Sequence, residues 1–231
     1  MASIYQNGRY QSCHPTWHSE DSPWKARQIL TMLGRHGLQP RTIAEVGCGA
    51  GEILNQLHSA LPDDVNFFGY EISEQAHALA QARTAPRLSF RLKDLTDEEA
   101  RFDLLLVMDV FEHVEDYLGF LRRLRPKAQH MIFHVPLDLS AQTVLRRSAL
   151  LHARENVGHL HYFTEDTALA TLQDAGYEIA DSYLTAGGIE VRDGGMKRRL
   201  AGVPRKLMAA MNRSFAARLL GGFSLLVLAR S

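Results

Sequence analysis

Three alternating glycines flanked by glutamates form the part of this 231-residue sequence best suited to bind a ligand. The segment reads Glu45, Val46, Gly47, Cys48, Gly49, Ala50, Gly51, Glu52. An apolar run precedes it and an amphipathic run, residues 52–61, follows it, so the pattern predicts a strand, a glycine turn and a helix. Glycine suits this turn because a Cβ would block both the tight bend and the approach of a ligand to the backbone.

The glycine spacing indicates which kind of ligand the turn would accept. Dinucleotide-binding turns carry G-x-G-x-x-G, with a pyrophosphate at the start of the helix. Here the spacing is G-x-G-x-G, and Glu52 lies in the predicted first helical turn. A carboxylate there would repel a pyrophosphate but tolerate a nucleotide-like ligand that carries an ammonium and a sulfonium group.

Two more acidic residues follow the next predicted strands. Glu71 lies about twenty residues past the glycine turn, where an acidic residue commonly meets ribose hydroxyls; the alternative is a solvated strand-end carboxylate. Asp94 ends the third predicted strand, where it could instead cap a helix. We include the neighbouring Ile72 and Leu95 in the predicted ligand site.

These features together resemble the class I S-adenosylmethionine (SAM) dependent methyltransferases. The resemblance rests on Glu45-x-Gly47-x-Gly49-x-Gly51, Glu71, Asp94, and Phe102-Asp103-Leu104-Leu105-Leu106 leading to Asp109. It implies that SAM lies along the carboxyl ends of the first four strands, with Asp94 directed at the adenine amino group. The predicted SAM contacts are Glu45, Gly47, Cys48, Gly49, Gly51, Glu71, Ile72, Asp94, Leu95 and Asp109.

The elements that must position these residues follow from hydrophobic periodicity. Seven strands are predicted, at residues 42–46, 66–72, 88–92, 102–110, 131–135, 177–184 and 224–229. Their near-regular alternation with helices predicts a single α/β domain over residues 1–231, a Rossmann-like doubly wound sheet that is mostly parallel. The resemblance implies an antiparallel C-terminal strand beside the sixth. Residues 1–23 are predicted to form an arm or lid, and residues 188–222 a helical insertion.

A second motif, Asp109-x-x-Glu112-His113, follows the fourth predicted strand. It resembles the ubiquinone-pathway O-methyltransferases and the small-RNA 2′-O-methyltransferases. In the latter, these residues and a later histidine hold a divalent metal, and here His159 or His161 could complete the set. We predict Asp109, Glu112, His113 and His161 as ligands of Mg²⁺ or Zn²⁺. The alternative is that Glu112 and His113 cap a helix and line the pocket without metal.

If no metal is bound, an imidazole could remove the acceptor's proton. The candidate bases are His113, His134 and His161, although each could equally be a wall of the pocket. On the cofactor side, Trp24 and Lys25 at the start of the first helix are candidate contacts, or residues that simply pack on the sheet.

Charge is balanced overall but unevenly distributed. Residues 192–218 hold eight basic side chains against one acid, leaving 18 basic and 25 acidic residues elsewhere. Apolar residues at helical spacing within residues 196–220 predict either contact with a membrane or an anionic substrate, or an ordinary surface helix. The neutral total argues against nucleic acid as a partner.

We therefore predict an enzyme that transfers a methyl group from SAM to a small-molecule or glycan (saccharide) acceptor, most favourably at oxygen. The alternatives are a metal-dependent RNA 2′-O-methyltransferase, a SAM-binding protein without catalysis, and an NAD(P)-dependent oxidoreductase. Two cysteines, Cys13 and Cys48, and the absence of a leader or spanning segment predict a cytoplasmic location. The oligomeric state is left open.

Overall fold

The computed structural model describes residues 16–17, 19–186 and 208–231. Most of the predicted arm and residues 188–207 of the predicted insertion therefore lie outside the described residues, as does Cys13. Among the residues that are described, no helix combines the length and hydropathy needed to cross a bilayer.

One seven-stranded sheet forms the centre of the molecule. Its strands are β1 (Thr42–Val46), β2 (Asn66–Glu71), β3 (Leu88–Leu92), β4 (Phe102–Met108), β5 (Ala128–Pro136), β6 (Glu178–Thr185) and β7 (Ser224–Arg230). They are ordered β3-β2-β1-β4-β5-β7-β6, and β7 runs antiparallel to both of its neighbours while the other pairs are parallel. The predicted doubly wound sheet with an antiparallel last strand is confirmed.

Helices cover both faces of this sheet. They are α1 (Ser22–His36), α2 (Glu52–Ala60), α3 (Glu74–Gln81), α4 (Tyr117–Leu124), α5 (Ala141–Leu145), α6 (Arg147–His152), α7 (Glu165–Asp174) and α8 (Arg213–Leu220). Apolar side chains of α1 and α2 pack on one face, and those of α4, α7 and α8 pack on the other. The central strands are buried on both sides, as their almost continuous apolar sequences predict.

The strand order determines where a ligand can bind. β1 and β4 are neighbours, but the chain winds outward from β1 to β2 and β3 on one side and from β4 to β5 on the other. Open α/β sheets bind ligands in the crevice at such a switch point, beyond the carboxyl ends of the strands. The glycine turn, Glu71 and Asp109 all follow directly from strands that end at this crevice.

Helix α1 is fixed across the sheet edge, which positions its first turn over the crevice. The hydroxyl of Tyr183 on β6 donates to the carbonyl of Gln28, and His36 pairs with Asp181. Gly37, in the left-handed conformation (φ 60°), ends the helix as its sequence predicts. The helix begins at Ser22, with Pro23 in its first turn, and Asp21 is the cap position without a side-chain cap bond.

Candidate active site

The glycine turn has the backbone that its sequence predicts. Gly47, Gly49 and Gly51 all have positive φ, at 66°, 55° and 78°. A Cβ on Gly51 would lie 2.5 Å from the ring of Phe90, whereas a Cβ on Gly49 would meet nothing within 4 Å. Gly51 is therefore required by packing, and Gly49 leaves open space above the backbone where a ligand can approach.

Replacement of Gly51 by alanine is expected to lower the free energy of unfolding by about 1–3 kcal/mol, since it adds left-handed strain to overpacking against Phe90. Urea unfolding followed by circular dichroism measures this change. Gly34→Ala is the matched control: Gly34 lies inside α1 with free space around it, so the substitution should stabilise by about 0.5–1 kcal/mol. Equal effects at both positions would contradict this account of the turn.

Glu71 joins the end of β2 to the glycine turn. Its Oε2 accepts the backbone N–H of Gly49 at 2.8 Å, and its Oε1 accepts those of Ile72 and Ser73, both at 2.8 Å. Burial raises the pKa of this carboxyl, although the three backbone donors oppose that shift. A carboxylate offers about four acceptor positions, so these three bonds still leave capacity for a ligand hydroxyl.

Two other predicted cofactor residues, Glu45 and Cys48, are buried beside the turn. Burial raises the pKa of the Glu45 carboxyl and that of the Cys48 thiol well above their usual ranges. The Oε2 atom of Glu45 is buried without a hydrogen-bond partner. An acid with an unsatisfied oxygen at the end of β1 is suited to a cationic partner.

The predicted adenine-side residues occupy the end of β3 and the start of α3. Asp94 caps the short 3-10 turn Leu95–Asp97, with its Oδ1 accepting the N–H of Thr96 at 2.8 Å. This is the alternative that the sequence left open, and the second oxygen of the carboxylate is not used by the cap. Leu95 is fully buried, whereas Ile72 is 53% exposed at the crevice edge.

Asp109 is the centre of a charged network at the end of β4. Its Oδ2 lies 2.6 Å from Nζ of Lys25, and its Oδ1 lies 2.6 Å from Nδ1 of His134. Burial alone would raise the pKa of Asp109, but His134 and Lys25 hold it well below its usual range. Asp109 also adopts a left-handed backbone (φ 56°), which Asp tolerates better than most residues. The network anchors α1 to the crevice.

A cavity of about 70 Å³ lies between this network and the glycine turn. Trp17, Ser19, Ser22 and Lys25 line it from the N-terminal side, and Glu45, Gly47, Cys48, Gly49, Ala50, Glu52, Ile53 and Met108 line it from the sheet side. The N-terminal residues therefore cover the turn, in keeping with a lid. A larger cavity of about 380 Å³ lies at the opposite ends of the strands, around Arg101 and Ser231, and has no link to this chemistry.

A second constellation lies next to Asp109. It consists of Glu112, His113 and His159. A carboxylate oxygen of Glu112 and one ring nitrogen of each histidine all lie within 4.8 Å of one another. Glu112 is fully buried, and neither of its carboxylate oxygens has a hydrogen-bond partner in the part of the chain that the structure describes. Burial raises the pKa of Glu112 well above its usual range and lowers that of His113 to about 4. Glu112 and His113 are thus both held in their neutral forms beside His159.

Both histidines of this constellation are oriented through their Nδ1 atoms. Nδ1 of His113 donates to the carbonyl of Gly158 at 3.0 Å, and Nδ1 of His159 donates to Oδ2 of Asp138 at 2.5 Å. In these tautomers each Nε2 carries a lone pair. Histidines that bind metals are commonly oriented in this way, by a carbonyl or carboxylate behind the ring.

Two of the four predicted metal ligands lie outside this constellation. Both oxygens of Asp109 are engaged by Lys25 and His134, and Nε2 of His161 bonds to the carbonyl of Val114 at 3.0 Å. His159 takes the place that we predicted for His161. The structure therefore brings Glu112 and His113 together with His159 and does not bring Asp109 or His161 into this group.

The predicted bases differ in their surroundings. Both ring nitrogens of His134 have partners within the protein, Asp109 and the hydroxyl of Thr185 at 3.1 Å. The ring of His161 packs on Tyr117, with centroids 4.4 Å apart. These contacts disfavour both residues as bases. Sequence reasoning missed Asp138 as the partner of His159, because no local pattern connects them.

The comparisons with known proteins agree with the fold. A model of the methyltransferase domain family matches residues 18–182. The chain is 31% identical over 115 residues to ajmaline N-methyltransferase of Rauvolfia serpentina, a match that spans 44% of this chain but only 39% of that relative.

Two solved structures show the same fold at low identity. The structure of magnesium protoporphyrin IX methyltransferase from Synechocystis PCC 6803, with bound S-adenosylhomocysteine (SAH), has a TM-score of 0.62 and 18% sequence identity to this chain. The superposition covers 91% of this chain and 84% of that chain. The cyclopropane synthase MmaA2 from Mycobacterium tuberculosis has a TM-score of 0.63 at 18% identity, covering 89% and 83%. Since the family model matches well over half of the sequence and the fold agrees, the chain belongs to the class I SAM-dependent methyltransferases.

Proposed function

We propose that this methyltransferase transfers the methyl group of SAM to an oxygen of a small-molecule acceptor. The observation that carries the proposal is the group formed by Glu112, His113 and His159, which lies beside the predicted SAM site and could activate a hydroxyl. Two of the similar proteins are named for small-molecule acceptors, ajmaline and magnesium protoporphyrin IX. Saccharides belong to the same class of hydroxyl-bearing acceptors.

The residues of the crevice fit SAM as donor. Glu45 lines the cavity, and its Oε2, which has no hydrogen-bond partner among the described residues, suits the cationic groups of SAM. Glu52 also lines the cavity but is paired with Arg83 at 2.6 Å. Gly49 leaves open space over the turn. We assign the ribose hydroxyls to Glu71, and the adenine side to Asp94, Leu95 and Ile72. Because the cavity is small, the N-terminal residues that cover it must shift when SAM enters.

We propose that Glu112, His113 and His159 hold a divalent metal such as Mg²⁺ or Zn²⁺. A bound ion would supply a Lewis acid that lowers the pKa of an acceptor hydroxyl. The protein would present Nε2 of His113 and Nε2 of His159, since the Nδ1 atoms of both rings are already bonded. It would also present the carboxylate of Glu112, which has no hydrogen-bond partner among the described residues. If no metal binds, the Asp138–His159 pair can instead take the acceptor's proton at Nε2 of His159.

Metal binding is expected to stabilise the chelator-treated protein. At a metal concentration 100 times Kd the stabilisation is about 2.7 kcal/mol, which differential scanning fluorimetry detects as a rise in Tm on addition of Mg²⁺, Mn²⁺ or Zn²⁺. Glu112→Gln and His159→Gln should each abolish the rise. His161→Gln is the matched control and should retain it. An equal rise in all four proteins, or no rise in the wild type, would overturn the metal proposal.

The RNA alternative is tested separately from the metal. Metal-dependent methyl transfer from SAM to the 3′ ends of RNA duplexes would support a 2′-O-methyltransferase. We expect no transfer to RNA, because the net charge of the chain is zero, whereas RNA-binding proteins are commonly basic as a whole. SAM binding without transfer to any acceptor would support the non-catalytic alternative.

A further inference from the structure

Large apolar side chains are exposed along three helices, two of which lie between Asp138 and His159 in the chain. Within the described residues, six of the eight exposed large hydrophobic side chains lie on or beside α5, α6 and α8; they are Val144, Leu145, Leu151, Met211, Phe215 and Leu219. Leu145 is 83% exposed and Phe215 is 55% exposed. We call these six residues the apolar helical face.

The two parts of the apolar helical face belong to one side of the molecule. Gly221, which ends α8, packs directly against the start of α5: a Cβ on Gly221 would lie 2.8 Å from Oγ of Ser140. On α8, Ala216 and Ala217 are buried against the core, while Phe215 and Leu219, one turn apart, point away from it. The exposed residues of α8 are therefore a solvent-facing stripe and not a gap in the core.

Charge around this face has one predominant sign. By sequence, residues 141–157 contain three arginines against a single acid, Glu155, and residues 208–220 contain two arginines and no acid. One of these, Arg218, is paired with Asp166 at 2.8 Å, so Arg213 is the arginine of α8 without a carboxylate partner among the described residues. Arg146 and Arg154 are exposed. The chain outside residues 192–218 is acidic as a whole, so this basic surround is a local feature.

We propose that the apolar helical face docks on an anionic lipid surface. Exposed leucine, valine and phenylalanine side chains with arginines around them match the boundary between lipid headgroups and acyl chains, where apolar burial and attraction to anionic lipids act together. A second copy of the chain is a poorer occupant, because two faces rich in arginine repel each other. A soluble acidic partner would leave the exposed apolar side chains unexplained.

Part of the apolar helical face belongs to the segment between Asp138 and His159, so docking would also affect where an acceptor can approach. The segment with α5 and α6 starts after Asp138 and ends before His159, and the hydrogen bond between these two side chains closes its base. The hydroxyl of Tyr162 also donates to the carbonyl of Leu150 within the segment. Docking would thus hold the acceptor side of the site close to lipid.

Vesicle flotation with the full chain tests the proposal. The protein should float with vesicles in which one lipid in three is phosphatidylglycerol and the rest phosphatidylcholine, and should bind pure phosphatidylcholine vesicles at least about tenfold more weakly. The double variant Leu145→Ser/Phe215→Ser should lose at least about tenfold in binding to the anionic vesicles. Leu92→Ser, which removes an exposed leucine at the opposite edge of the sheet, is the matched control and should bind like the wild type.

Calorimetric titration with SAH shows that each variant is folded, and this readout does not depend on the acceptor or on the metal. Failure of the wild type to float with either vesicle would overturn the proposal. So would equal flotation of the double variant and the control. If the wild type instead forms dimers by light scattering that the double variant lacks, and does not float, the face is an interface between two copies.

Discussion

Replacement of Asp109 by asparagine is expected to lower the free energy of unfolding by about 3–5 kcal/mol, the usual effect of removing one partner from a buried ion pair. The substitution leaves the ammonium group of Lys25 buried without its counter-charge. Asparagine has nearly the same shape as aspartate and tolerates the left-handed backbone at this position. The loss therefore reports on charge and not on packing.

The stability lost in Asp109→Asn is expected to depend on pH, because the carboxylate of Asp109 can be protonated. The pKa of Asp109 lies well below its usual range in the folded protein, so its stabilising contribution is present above pH about 4 and disappears as pH falls through the lower folded value. Urea unfolding of wild type and Asp109→Asn at pH 7 and at acidic pH measures the difference between them, which should shrink on acidification.

Asp64→Asn is the matched control for Asp109→Asn. Asp64 pairs with Arg41, and both side chains are more than half exposed, so its replacement should change the free energy of unfolding by less than about 1 kcal/mol. A comparable loss for the two substitutions would show that the Lys25–Asp109 pair is solvated and does not hold α1 over the crevice.

Replacement of Glu112 by glutamine is expected to stabilise the metal-free protein, by an amount that grows with pH. Burial, together with the nearby charge of Asp109, raises the pKa of Glu112 well above its usual range. Below pH about 4.5 the residue is protonated in both states. At higher pH the unfolded chain ionises while the folded protein does not, so native stability falls by up to about 1.4 kcal/mol per pH unit until the folded pKa is reached.

Urea unfolding in the presence of a chelator, at pH 5 and at pH 8, measures this effect. The advantage of Glu112→Gln over the wild type should be small at pH 5 and clearly larger at pH 8. Glu115→Gln, an exposed neighbour on the same segment, should show no such difference. If Glu112→Gln is less stable than the wild type by the same amount at both pH values, Glu112 is not protonated in the folded, metal-free protein, and the prediction is wrong.

The sequence predicted the fold well because local patterns specify it. Continuous apolar runs identified the central strands, which are buried on both faces. The glycine turn has positive φ angles that glycine adopts readily, so its residue types are consistent with its backbone. The position of the antiparallel last strand beside the sixth came from the family resemblance, and the structure agrees with it.

The site was predicted less completely, because its partners are distant in sequence. No local pattern links Lys25 to Asp109 or Asp138 to His159, and these contacts exist only because the strand ends converge at one edge. The choice between His159 and His161 likewise depends on which ring turns toward Glu112. Residues 158–164 form neither a helix nor a strand. Their spacing in the sequence therefore does not tell which of the two histidines faces Glu112.

One assay tests the central claim, that this methyltransferase modifies an oxygen with the help of Glu112, His113 and His159. The wild type, His159→Gln and His161→Gln are incubated with SAM labelled with ¹³C in its methyl group and a small-molecule extract of the source cells, with and without chelator. In carbon NMR spectra we expect a new methoxy signal for the wild type and for His161→Gln, and none for His159→Gln. Chelation should strongly reduce the signal of the wild type, and added Mg²⁺ or Zn²⁺ should restore it. An N-methyl or C-methyl signal, or a methoxy signal that His159→Gln retains, would contradict the claim.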